Sequence, residues 1–183
     1  MRQLLITALK DTVTQIRHDL RLMPLTRWNE SVFRFTYCRA IARQEPDVKQ
    51  FDECDRMDLV LHRNSERAYV EFKFYIRRAA HDPLSGVRTG MKGGPSRKNW
   101  QEFKKCVKTL RQRPAPSEVL KIVVLFYADS VSTGQKTFES YYGARTDIED
   151  RLMIRRLASI GPFQSGDSDS NSICNARLYE ILT

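Results

Sequence analysis

The sequence predicts an α/β (α+β) fold, a central mixed β-sheet flanked by helices, on three observations. Apolar residues recur at helical spacing over the first 43 positions, alternating strand patterns occupy 58–76, and the dense apolar run VLKIVVLFYA at 119–128 reads as a buried central strand.

The helices come first. Leu5, Leu9, Val13, Ile16 and Leu20 step by three and four, which predicts an amphipathic helix over residues 1–22 that ends before Pro24 and either caps the core or packs on a second subunit. From Trp28 to about Arg43 a second helix is expected, with Asn29 as its cap, Glu30 in its first turn, and Phe33, Tyr37 and Ile41 on its apolar face.

A short strand near Val48–Glu53, a strand at Asp58–His62, a turn at Asn64 and Ser65, and a strand at Ala68–Ile76 follow. Alternation in the last of these puts Val70, Phe72, Phe74 and Ile76 on one face and Tyr69, Glu71, Lys73 and Tyr75 on the other. A carboxylate and an ammonium thus share a strand face with no local apolar reason to be there.

Residues 77–97 hold Arg77, Arg78, Arg88, Lys92 and Arg97 against one acid, Asp82, and read as a long basic loop that is functional or disordered. Trp100, Phe103, Val107 and Leu110 then mark a helix whose other faces carry Lys98, Lys104, Lys105 and Lys108. After the buried run, Thr146 with Glu149 predicts a capping box for a helix to about Ser159, closed by Gly161 and Pro162. A polar loop at Gln164–Ser172 and a final strand at Ile173–Leu182 complete the reading.

Composition sets the class. A 183-residue chain with 41% apolar and 29% charged residues can bury a single core, and 31 Lys and Arg against 22 Asp and Glu give a net charge of +9. That excess favours a polyanionic partner, nucleic acid ahead of an anionic membrane surface. No stretch approaches the roughly 20 apolar residues of a membrane helix. Lys10, Asp11, Arg17 and Asp19 interrupt any signal-peptide pattern, so a cytoplasmic location is expected. Four cysteines and three histidines show no zinc-site spacing, and GMKGGPS at 90–96 lacks the ending of a nucleotide-binding P-loop.

The order of helix, antiparallel strands, helix and buried strand, with Asp58 in MDLVLH and Glu71-Phe72-Lys73 in YVEFKFY, resembles the PD-(D/E)XK (restriction-endonuclease-like) nuclease superfamily over about residues 28–128. Met57 stands where the motif's proline would be. One domain is expected: an N-terminal helix at 1–22, a nuclease-like core at 28–128, and a C-terminal helix, loop and strand at 129–183 that the resemblance leaves unassigned. The resemblance implies a magnesium-dependent deoxyribonuclease, with manganese as a substitute.

Magnesium is a hard cation held by few carboxylates, so Asp58 and Glu71 are its expected ligands. Lys73, on the same strand face as Glu71, can approach a water nucleophile and the scissile phosphate. The resemblance adds the Phe72 backbone carbonyl as a third ligand and Glu30 as a helix-borne acid; Glu30 reads equally as a first-turn glutamate facing the helix dipole.

Phosphate contacts are expected from Arg77, Arg78, Lys98, Lys104, Lys105 and Lys108. Asp52, Glu53 and Asp55 form an acidic cluster that is a polar strand end or a second source of ligands, and His62 alternates onto the face of Asp58. DNA is the expected partner, with dimerisation compatible with double-strand cleavage. The alternatives are a noncatalytic nucleic-acid-binding or assembly module and a protein-interaction domain using the N-terminal helix.

Overall fold

The computed structural model describes residues 1–22, 24–76, 78–81, 84, 85, 88–92, 96–116, 118–130, 148–165 and 172–182. Its elements in chain order are α1 (Arg2–Asp19), α2 (Glu30–Gln44), β1 (Lys49–Asp52), β2 (Leu59–Arg63), β3 (Glu66–Ile76), β4 (Arg78–His81), β5 (Arg88–Lys92), α3 (Arg97–Gln112), β6 (Val119–Ser130), α4 (Ile148–Leu152), β7 (Ile154–Gln164) and β8 (Ser172–Ile181). The fold is α+β. A six-stranded mixed sheet runs β1-β2-β3-β6-β8-β7, parallel only between β3 and β6, with helices on both faces.

β6 explains this layering. Ile122, Val124, Phe126 and Ala128 face α1 and α2 in one core, whereas Val123, Leu125 and Tyr127 face α3 in the other. Both sides of the strand are therefore apolar, and the alternation expected of a half-buried strand is absent from its sequence.

The apolar stripe of α1 is spent inside the fold: Leu5, Ala8 and Leu9 are fully buried against α2 and the sheet. The buried Tyr37 hydroxyl donates to the Leu5 carbonyl across that packing (2.9 Å). Asn29 caps α2 as predicted, its side-chain oxygen accepting from the Val32 amide (2.9 Å). Among the described residues no helix is long and apolar enough to cross a membrane.

Two expected elements differ. The basic segment after β3 contains a ribbon in which β4 pairs antiparallel with β5, a pattern concealed by its glycines and charges. Thr146 lies outside the described residues, and the helix expected through Ser159 is only the short α4. Met153 reverses the chain there with a left-handed φ of 46°. The residues that follow form β7 against β8, fixed in part by Arg155 on the buried Glu180 (2.6 Å). The adjacent arginines 155 and 156 had broken any period-2 signal. β8 itself lies between β6 and β7, so the C-terminal third belongs to the same sheet.

Gly161 lies inside β7, at a register shift between Ile160 and Phe163, and does not close a helix. Its φ is +115°, and a Cβ there would sit 2.7 Å from the Cys174 carbonyl oxygen of β8. Gly161→Ala is expected to cost about 2 kcal/mol or more, lowering Tm by roughly 4–8 °C. A melting temperature within one degree of wild type would show that the strand pair gives way freely.

Candidate active site

The register of β2 on β3 builds the site. Leu59 pairs with Val70, so Asp58, one residue earlier, stands opposite Glu71. β3 runs on to Ile76 after β2 has ended, and the backbone of Phe72 on that side needs partners from elsewhere. It finds them in the candidate residues. Asp58 Oδ2 accepts from the Phe72 amide (2.7 Å), and Lys73 Nζ donates to the Phe72 carbonyl (2.7 Å) while lying 3.8 Å from Glu71 Oε2.

Charge is crowded here. Burial pushes the Glu71 carboxyl up to about 7, and the neighbouring Asp58 charge adds to the shift, against a smaller opposing pull from Lys73. Burial and the Asp58 charge both favour the protonated carboxyl, so the Lys73–Glu71 contact is less of an ion pair than its distance implies. Glu30 projects from the first turn of α2 toward the same group; its carboxyl is also raised, by burial first, with Lys73 pulling it back down. Burial alone would lower the Lys73 ammonium. The facing Cys106, Glu30, Asp58 and Glu71 outweigh it, and its pKa is raised, so Lys73 is a cation at neutral pH.

Arg34, one turn after Glu30, fixes the approach to Asp58. Its guanidinium bonds Asp52 (3.2 Å) and Glu53 (2.9 Å) and lies 3.6 Å from Asp58 Oδ1. Asp52 and Glu53, weighed above as spare ligands, are thus held by this arginine at the end of β1; the Asp55 side chain lies outside the described residues. His62 packs edge-on against Phe51 (5.2 Å) and pairs with Arg67, at the far end of β2 from Asp58.

Across from β3, one face of α3 closes a cleft of about 280 Å³ over Glu71 and Lys73, with Glu102, Lys105, Cys106 and Arg113 in its wall. Burial pushes the Cys106 thiol up to about 12, which leaves it protonated and a poor nucleophile. A larger cleft of about 910 Å³ lies at the start of β3, where Glu66 is engaged by the Met1 amino group and Glu180 by Arg2, with Glu118 also in its wall. The smaller one is the cleft that holds Glu71 and Lys73.

Of the expected phosphate contacts, Arg77 lies outside the described residues and Arg78 is placed by backbone alone, in β4. Lys98, Lys104, Lys105 and Lys108 are all exposed on α3; Lys104 leans over Trp100 (5.3 Å) and Lys105 reaches the cleft. Sequence reasoning missed Arg34, Glu102, Arg56 and Arg113. The i,i+4 spacing of Glu30 and Arg34 was one available signal, and Glu102 as the single acid of α3 was another.

The donor set fits a hard divalent cation. Asp58 and Glu71 converge without one at the cost of a proton retained on Glu71, and the Phe72 carbonyl is off the sheet ladder beside them. Among the described residues no group of three His, Cys, Asp or Glu side chains gathers that could hold a metal ion. No protein-family model, curated protein or solved structure matches the chain.

Proposed function

We propose that the protein is a metal-dependent nuclease that hydrolyses phosphodiester bonds, with DNA as the substrate its resemblance to the PD-(D/E)XK nucleases points to. The observation that carries this reading is the placement of Asp58, just before β2, opposite Glu71, with Asp58 on the Phe72 amide and the Lys73 ammonium on the Phe72 carbonyl.

Asp58, Glu71 and the Phe72 carbonyl would hold the cation, magnesium or manganese. A divalent ion bound there would lower the pKa of a water and offset charge on the phosphate. Lys73 is charged and half-buried, and it can leave the Phe72 carbonyl to orient the attacking water and stabilise negative charge as it builds on the phosphate oxygens. Glu30 helps hold that ammonium at the cleft. Arg34 keeps the Asp58 loop closed on β3. The net charge of +9 draws the polyanion in.

The test is cleavage of supercoiled, linear, single-stranded and branched DNA with Mg²⁺ or Mn²⁺, with wild type beside Asp58→Asn. Wild type is expected to cut and to stop in EDTA, and Asp58→Asn to lose at least about a hundredfold. DNA binding without cleavage on any of these substrates would favour a noncatalytic binding module of the same fold.

A further inference from the structure

The cleft over Glu71 and Lys73 differs from end to end. α3 runs against the direction of β3, so that Glu102 lies toward Glu30 and Tyr75, Cys106 lies beside Lys73, and Arg113 stacks on the Tyr69 ring (5.4 Å) two residues before Glu71. The Glu30 end is acidic. Arg113, Arg56 and Lys105 all line the wall of this cleft. The seven steps from Cys106 to Arg113 span about 10 Å of helix, roughly three nucleotide rises along a strand.

Two features hold Arg113 and Arg56 in place. Lys121 on β6, paired with Tyr69 and almost fully buried, donates from Nζ to the Arg111 and Arg113 carbonyls (2.9 and 2.7 Å). It thereby satisfies the last carbonyls of α3 and fixes where Arg113 emerges. Arg56 ends a 3₁₀ turn that begins after Glu53, and both residues adopt left-handed backbones (φ 60° and 49°), a costly conformation for side chains of this size. The turn delivers Arg56 to the cleft and Asp58 to Glu71 together.

We propose that Arg56, Arg113 and Lys105 grip the phosphates flanking the bond presented to Glu71 and Lys73, so that the site takes a polynucleotide strand and not a mononucleotide or phosphomonoester. The grip deepens the nuclease reading and rests on it for the position of the scissile bond, but its own readout is binding. Each arginine is a fixed cation with planar donors suited to a phosphate, and Tyr69 beneath Arg113 holds that plane steady.

The experiment is fluorescence anisotropy of a labelled 12-nucleotide single strand and its duplex in EDTA across a salt series. It compares wild type, Arg56→Gln/Arg113→Gln, and a control of equal charge change on exposed parts of α1 and α2, Lys10→Gln/Arg43→Gln. The arginine pair is expected to weaken binding about tenfold or more and to flatten the log K against log salt slope by about one to two, with the control losing no more than about threefold.

Arg56→Gln/Lys105→Gln, which leaves the Tyr69 stack intact, should show the same direction, so a folding defect at Arg113 cannot produce the result alone. Equal losses in the control, no loss in either cleft variant, or no wild-type binding at low salt would overturn the grip. Absence of Mg²⁺-dependent cleavage with these binding differences intact would overturn the nuclease reading and leave the grip standing.

Discussion

Lys73→Met is expected to lower Mg²⁺-dependent cleavage by about 10²–10³-fold, with the fold retained. Its ammonium donates to the Phe72 carbonyl, lies 3.8 Å from Glu71 and is only 13% exposed, so it acts where solvent screening is weak. Methionine fills a similar volume and removes the charge. Lys73 also holds the Glu71 and Glu30 carboxyls down, and its loss raises both further. At neutral pH that secondary effect would weaken metal binding; raising the pH and saturating with metal offset it in the variant, and the loss measured there reports the ammonium at the phosphate. Single-turnover cleavage at high pH with saturating Mn²⁺, beside a circular-dichroism melt, makes the measurement. Activity within threefold of wild type would remove Lys73 from the chemistry.

Glu71→Gln is expected to abolish cleavage and at the same time to stabilise the metal-free protein. The folded-state pKa of Glu71 is raised from 4.5 to about 7, by burial first and then by Asp58. A raised carboxylate binds its proton more tightly when folded than when unfolded. Its contribution is therefore unfavourable above about pH 7, where the folded group must ionise, and the penalty fades as pH falls from 7 toward 4.5. The amide removes a penalty on the order of 1–3 kcal/mol at pH 8, several degrees in Tm, and little at pH 5. Thermal melts of both proteins in EDTA at pH 5 and pH 8 decide it. A variant less stable than wild type at pH 8 would mean that the Glu71 carboxylate is a structural partner and not a charge held for a cation.

Much of this arrangement was legible in the residues. Asn29 announced the start of α2, and the Val70-Phe72 alternation put Glu71 and Lys73 on one face. The unbroken run at 119–128 marked the central strand because both of its sides are covered. The contact of Asp58 with Glu71 was not legible, because it depends on register and a slip of one residue would have turned every side chain of β2 over.

β7 was hidden for a different reason. IRRLASI carries adjacent arginines on an edge strand, where Arg155 meets Glu180 and Arg156 meets Glu149, so pairing and not apolar period holds it. Spacing pointed to Arg34 but not to its partners, and nothing in the spacing marked Arg113. Each acts on an element distant in sequence, Arg34 on the acids after β1 and Arg113 on Tyr69 of β3.

The claim on which the rest depends is that Asp58 and Glu71 together make one cation site. Calorimetric titration of Mn²⁺ into wild type, Asp58→Asn and Glu71→Gln at pH 8 and pH 6, without nucleic acid, tests it most directly. One ion per chain is expected at pH 8, about tenfold weaker at pH 6 where the Glu71 proton competes, with binding lost in both variants. Millimolar Mn²⁺ that leaves wild type untouched, or binds all three proteins alike, would contradict it.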